Sequence, residues 1–358
     1  MDAMPRPDHL FPSTVIGSLP RPQWLRDVIL DRKAGRLSEE DADTILDRAV
    51  ESALLLQERA GLDEITDGEW RRESYVKVFA QRTRGFQDDL VDSGLPYPAA
   101  VAPLEYWQPI VADEIPFVRD RTTRAVKVTL PSPYIIGRRM WHAQHSAAAY
   151  PKREDLMWAA VPVLEEEIRS IVAHGVDTLQ LDEPWLAVLV DERARRREGV
   201  EDVDYEMALC ADLLNAVLPA ASGTNTAMHL CHAHFDHVHG SRGSYELILP
   251  TLAKIDVGTI CLELATPDAG GLEALSGFPA DKRLGLGVID HCDTTLESAE
   301  LVASRVEAAL AYVERERIEL HPDCGFAPSV QNPIDVDEAY LKLRAMCDGA
   351  AMARDRLG

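Results

Sequence analysis

Long apolar runs are missing from this 358-residue sequence. The clearest one, residues 186–190, falls far short of the ~18 apolar residues that cross a bilayer, so no membrane-spanning helix is expected. Residues 1–13 carry proline, aspartate and histidine but no apolar core of the kind a secretory signal needs, and the cytoplasm is the expected location. Basic residues are the minority: 37 Lys and Arg stand against 60 Asp and Glu, for a net charge of −23. Nucleic-acid binding draws on a basic surface that releases counterions, and this balance argues against it; solubility is the simpler office of the acidity. No CxxC pair is present either. The six cysteines, Cys210, Cys231, Cys261, Cys292, Cys324 and Cys347, lie scattered. In a reducing compartment they read as buried apolar residues, reactive thiols or metal ligands. Low-complexity segments and long-period repeats are absent.

What the chain does have is a core and a rhythm. Hydrophobic residues make up 46%. Short β-rich runs at residues 14–17, 64–67, 125–130, 178–182, 227–231, 258–262, 284–290 and 318–321 alternate with helical segments such as 155–173, 298–314 and 336–352. Eight strands each followed by a helix predict a single (β/α)8 TIM-type barrel, although an open doubly wound sheet alternates in the same way. Residues 84–124 break the rhythm with glycines, prolines and the aromatics Tyr97, Tyr106, Trp107 and Phe117. They are expected to form an insertion between the second and third strands, reaching over the barrel mouth.

Chemically capable residues fall at the strand ends, where barrel enzymes place their sites. The strands run into Ile16-Gly17-Ser18, Asp67-Gly68-Glu69, Asp182-Glu183-Pro184, His229-Leu230-Cys231, Glu263, Asp290-His291-Cys292 and Asp323-Cys324-Gly325. His229 and Cys231 are two residues apart, so on a strand they share a face and can reach one metal ion. Together with Glu263 and Cys324 at later strand ends they make a thiolate, imidazole and carboxylate set suited to zinc. Two thiolates and a carboxylate outweigh the charge of the ion. Such an electron-rich zinc splits water poorly but leaves a bound thiolate nucleophilic, which points to thiol alkylation. Cys261 shares the face of Glu263 and could stand in for it, although Glu263 is the preferred ligand. His232, His234, His237 and His239 are expected in a solvated loop, and Cys210 and Cys347 as packing residues on helices. Asp182 and Glu183 face opposite ways as strand neighbours, so one enters the mouth and the other is expected to pair with a neighbouring loop. Arg138, Arg139 and Trp141 could hold a flat, acidic ligand.

Taken in order, these motifs resemble the C-terminal catalytic barrel of the cobalamin-independent methionine synthase family. The likeness runs from Thr14-Val15-Ile16-Gly17-Ser18 through Asp67-Gly68-Glu69-Trp70-Arg71-Arg72, Leu181-Asp182-Glu183-Pro184 and His229-Leu230-Cys231 to His321-Pro322-Asp323-Cys324-Gly325. The resemblance implies zinc held by His229, Cys231, Glu263 and Cys324. It implies that Ile16 and Ser18 hold the amino-acid end of homocysteine, with Glu69 and Asp182 on its ammonium. It further implies a methyl group drawn from a methyltetrahydrofolate and an acid that protonates the departing nitrogen. That acid lies in an Asp-x-His-Ser-Pro run in the family; here the order is Asp290-His291-Cys292-Asp293, and either Asp290 or His291 could serve. Trp185, Leu186 and Ala187 after Asp-Glu-Pro, and Phe326-Ala327-Pro328-Ser329 after Cys324, also depart from the family pattern. The changes gather on the methyl-donor side. They leave open an epoxide or methylcobalamin as donor, a carbon–sulfur lyase reaction, or a partner protein that delivers the methyl group, and the oligomeric state is equally open. A metal-free barrel like uroporphyrinogen decarboxylase and a non-catalytic binding barrel are the alternatives of other classes.

Overall fold

The computed structural model describes residues 8–88, 90, 94–235, 238–327 and 335–357. His237, Pro328 and Ser329, singled out above, lie outside them. Seven strands form one parallel sheet: β1 (Glu64–Ile65), β4 (Ala125–Pro131), β5 (Thr178–Asp182), β6 (Asn225–Leu230), β9 (Thr259–Leu262), β10 (Arg283–Ile289) and β11 (Ile318–Pro322), hydrogen-bonded in that order. β5 and β9 are buried at every position, as strands covered on both faces must be. The intervening helices supply the outer layer.

The expected first strand is shorter than its sequence suggests. Ser13 bridges Leu320 in parallel, the Thr14 amide donates to the Leu320 carbonyl at 2.9 Å, and the Leu320 amide donates to Pro12 at 2.8 Å. On the other side the amides of Asp63 and Glu64 donate to the Ser13 carbonyl at 3.0 and 3.1 Å. This short segment thus joins the last strand to the first and closes the curled sheet into the (β/α)8 plan. Beyond it the ladder stops because buried side chains take the next three carbonyls. Lys127 Nζ donates to Val15 O at 3.1 Å, Gln180 Nε2 to Ile16 O at 2.7 Å and Thr66 Oγ1 to Gly17 O at 2.8 Å.

Local signals account for the helices. The helix Glu39–Ala60 begins where the Ser38 hydroxyl accepts from the Asp41 amide, with three acidic residues in its first turn, and ends at Gly61 in the left-handed region (φ 99°). Inside the sheet, β10 needs its glycines: a Cβ on Gly285 would lie 2.7 Å from Cys261 Sγ, and one on Gly287 2.2 Å from Asp323 Oδ1.

Between β1 and β4 the rhythm breaks as a hairpin of β2 (Thr83–Gln87) and β3 (Ala99–Tyr106), antiparallel, followed by the helix Ile115–Arg119. Its return is fastened by Glu167 on the helix Arg153–Ala173. This buried carboxylate accepts from Tyr106 Oη at 3.0 Å and from the amides of Ile110, Val111 and Ala112 at 2.9, 2.6 and 2.8 Å. Removing it strands the three amides that donate to it. Glu167→Ala is expected to cost about 3 kcal/mol, the scale of charged hydrogen bonds left unmade, seen as a lower urea midpoint. A midpoint equal to that of the parent would show that the hairpin's return is not held there.

Candidate active site

The strand ends converge as their spacing requires. Ile16, Ser18, Glu69, Asp182, His229, Cys231 and Cys324 line one cavity of about 150 Å³, together with Ser74, Tyr75, Tyr97, Arg139 and His234. Of these, Tyr97 lies between β2 and β3 in sequence.

His229 and Cys231 do share a face. With Cys324 they bring one nitrogen and two sulfurs within 4.8 Å of one another, and Cys324 Sγ lies 3.4 Å from Cys231 Sγ. His229 is buried, and neither ring nitrogen has a hydrogen-bond partner among the described residues. Burial, reinforced by the nearby His321, pushes its pKa well below the ordinary histidine value, so the ring is neutral and its lone pair free. The contact with Cys231, together with burial, raises the Cys324 thiol well above its usual range. A buried pair of thiols beside an unpartnered neutral imidazole is costly to maintain and is the donor set a soft or borderline metal would repay.

Glu263 falls outside both this trio and the cavity lining, although its charge acts on His229 and Cys324. Its Oε2 accepts from the His232 amide at 2.9 Å, lies 3.2 Å from His232 Nδ1 and 2.9 Å from His234 Nε2, while Oε1 is 3.3 Å from His239 Nε2. Although burial opposes it, these contacts with His232 and His234 hold the carboxyl well below its ordinary range. The histidines expected in a solvated loop are therefore not solvated: the side chains of His232, His234 and His239 are 0%, 3% and 5% exposed. The reason is β7 (His234–Phe235) and β8 (Val238–His239), a short hairpin that folds the segment back onto Glu263. Cys261, the rival ligand, sits on β9 against Gly285, in contact with Ile16 and Ala227.

The acidic wall is equally buried. Glu69 adopts φ 56°, and its Oε1 accepts from Thr129 Oγ1 at 2.9 Å while Oε2 has no hydrogen-bond partner among the described residues. Gln180 Nε2 bridges Ile16 O and Asp182 Oδ1, both at 2.7 Å. Burial raises both carboxyls, and for Asp182 the neighbouring Glu69 adds to it. Gln180 was legible only as the inward partner of Asp182 two residues on. Glu183 does face the other way, but it makes hydrogen bonds rather than an ion pair: Ser132 Oγ and the Trp185 amide both donate to it, which starts the helix Pro184–Val188.

Asp290 and His291 stay close, their side chains grouping with Cys292 within 4.8 Å, but they differ in what they bond. His291 is 2% exposed, its ring edge-on to His234 with centroids 4.0 Å apart, and it groups with His234 and Cys324. Asp290 instead accepts from the Cys292 and Asp293 amides at 2.7 and 3.3 Å and closes its own turn.

With that geometry in place, comparison with known families matches residues 11–352 to the family described as "Cobalamin-independent synthase, Catalytic domain". The chain belongs to the cobalamin-independent methionine synthase family. Among curated relatives, methionine synthase of Saccharolobus solfataricus is 32% identical over 356 residues, 97% of this chain and 96% of its own length. That of Sulfurisphaera tokodaii is 31% identical over 365 residues, covering 100% and 95%. Among solved structures, a B12-independent methionine synthase from Shewanella sp. W3-18-1, in complex with selenomethionine, superimposes with a TM-score of 0.78 at 25% identity, covering 97% of this chain and 99% of that one. Cobalamin-independent synthases are methyltransferases, and the decarboxylase-like alternative falls away with this assignment. No helix among the described residues is long and apolar enough to cross a membrane.

Proposed function

We propose that this chain methylates the thiol of homocysteine to give methionine, with zinc held by His229, Cys231, Glu263 and Cys324 and a methyltetrahydrofolate as donor. One observation carries the reading: a buried, unpartnered, neutral His229 within metal-ligand reach of two thiols 3.4 Å apart, in the cavity that also holds Glu69 and Asp182. Bound there, zinc would supply the Lewis acidity that lets a ligating thiol lose its proton near neutral pH.

The chain's own residues account for the rest. Glu69 and Asp182 give the cavity two carboxylates for the amino acid's ammonium, and Gln180 fixes Asp182 in position. Ile16 and Ser18 line the same cavity. Glu263, gathered by His232, His234 and His239, is the fourth ligand of the proposal, and the histidine contacts orient it as supporting hydrogen bonds orient a metal ligand. His291, rather than the turn-bound Asp290, is the residue proposed to carry the proton for the departing nitrogen. Burial and the nearby His234 push its pKa well below the ordinary histidine value, so it must first take up a proton, for example the one lost by the thiol, before it can donate one.

The deciding test is zinc content by elemental analysis, repeated with homocysteine while X-ray absorption follows the metal. One zinc per chain that gains a sulfur neighbour supports the proposal; protein purified without chelator and free of zinc overturns it. A finer check is Asp182→Asn, which keeps the shape and the Gln180 contact but removes the charge. Homocysteine affinity is expected to fall about 10-fold or more, the scale of a charge-assisted hydrogen bond, with zinc retained. Equal affinities by calorimetry would take Asp182 out of that role.

A further inference from the structure

Arg138 and Arg139 close the helix Pro133–Met140 without an anion. Of the two arginines buried among the described residues, Arg72 faces Glu114 and Arg21 donates to the carbonyls of Ala327 and Glu69, while the half-buried Arg153 faces Glu206. Among the described residues no carboxylate reaches either Arg138 or Arg139, and Arg138 Nε and Nη2 and Arg139 Nε are buried without an acceptor. Aromatic rings surround them instead. Arg138 lies 4.6 Å from the Trp185 ring centroid and 5.8 Å from that of Tyr134; Arg139 lies 5.2 Å from Trp185 and 5.4 Å from Tyr97.

Stacking satisfies the faces of a guanidinium but not its N–H groups, which lie in the plane. Buried donors with no acceptor are costly, so the arrangement suits a ligand that supplies one. The planar fork matches a carboxylate or phosphate oxygen pair. Arg139 lines the cavity; Arg138 does not. Arg139 thus borders a volume of about 150 Å³, which an amino acid would occupy, with Arg138 next to it in sequence and outside the lining, and both are basic where Glu69 and Asp182 of the same lining are acidic.

We propose that Arg138 and Arg139 form an oxyanion subsite for the methyl donor, gripping a carboxylate or phosphate group that extends beyond the amino-acid cavity. This rests on the methyl-transfer reading above for the identity of its ligand, though not for the binding of an anion.

The test uses the zinc-loaded full chain. Calorimetric titration with glutarate and with inorganic phosphate is compared between the parent and Arg138→Gln/Arg139→Gln. The variant is expected to lose at least 10-fold in affinity for whichever anion the parent binds. If the Gln variant fails to fold, Arg138→Lys/Arg139→Lys keeps the charge and loses the fork, and the same loss is expected. Donor assays with 5-methyltetrahydrofolate triglutamate and with methylcobalamin then separate carboxylate from phosphate as the natural source: KM for that donor rises at least 10-fold, while homocysteine affinity is unchanged. Parent and variant that take up both anions alike, or neither anion at all, overturn the subsite. A fall in homocysteine affinity instead gives the pair to the amino acid's own carboxylate and overturns the donor assignment. A parent that binds the anions in an Arg-dependent way but methylates no homocysteine defeats the functional reading and leaves the anion site standing.

Discussion

Cys324→Ser and His229→Ala are each expected to lose bound zinc and methyl transfer together, while the barrel stays folded. The expectation follows from how few donors the site has. Cys231 and Cys324 lie 3.4 Å apart with His229 in the same group, and no other described residue joins that trio within the same reach. Loss of a hydrogen bond that merely supports a metal ligand costs about 10–100-fold in affinity or activity, and loss of a ligand itself is expected to exceed that. Serine is close to cysteine in size but is a poor partner for zinc near neutral pH. His229→Ala opens space at the top of β6, yet removes a ring whose two nitrogens make no hydrogen bond, so the fold loses packing and no polar partner. Circular dichroism and thermal melting should therefore report a folded protein. Cys210→Ser serves as the contrast: that thiol is buried on the helix Val203–Val217, and its variant should keep zinc whatever it costs in stability. Full zinc occupancy in both ligand variants would remove the metal centre from this cavity.

Much of this was readable in the sequence because strand geometry is a strong rule. His229 and Cys231 alternate onto one face, Asp182 and Glu183 onto two, and the strand ends at Ile16, Glu69, Asp182 and Cys324 do meet in one cavity. Periodicity also placed seven of the strands. It overstated the first, because side chains far away in sequence, Lys127, Gln180 and Thr66, take the carbonyls a ladder would have used. The loop after Cys231 misled for a similar reason. Histidines following a strand look solvated unless a buried acid awaits them, and the contacts of His232 and His234 with Glu263 span 31 and 29 residues. Nor could spacing separate Asp290 from His291. A two-residue hydrogen bond from Cys292 makes Asp290 a turn residue and leaves His291 facing His234. The anion-free arginines Arg138 and Arg139 were visible as a motif, but their lack of partners is a property of the fold alone.

Arg72 is the cation that reaches three carboxylates of the acidic wall, with Arg21 also acting on Glu69 and Asp67, and replacing Arg72 should be the most damaging change outside the metal set. The Arg72 guanidinium is 3% exposed and lies 3.3 Å from Glu114, 3.8 Å from Asp67 and 3.9 Å from Glu69, with Nη1 also donating to Thr129. Burial works against its charge, but Asp67, Glu114 and Glu69 outweigh that and hold it firmly protonated. Arg72→Met keeps most of the bulk and removes the cation, leaving three carboxylates buried together. Breaking a buried ion pair from one side costs about 3–5 kcal/mol, and a comparable loss is expected here. The loss should depend on pH in a definite direction. Even with Arg72 present, burial lifts Glu114 to about 8 and raises Glu69. Without it both are expected to rise further, so between the ordinary carboxyl range and these raised values the folded state binds protons that the unfolded chain has released. Stability then falls as pH rises through that window. Thermal unfolding of Arg72→Met should accordingly approach that of the parent near pH 5 and diverge most above pH 8. A deficit that is constant with pH would mean that the lost energy is packing, not charge. A deficit that grows toward acid would contradict the assigned pairing. Because Glu69 lies in the amino-acid cavity, the same variant should also weaken homocysteine binding at pH values where it remains folded, tying the support of the barrel to the chemistry at its mouth.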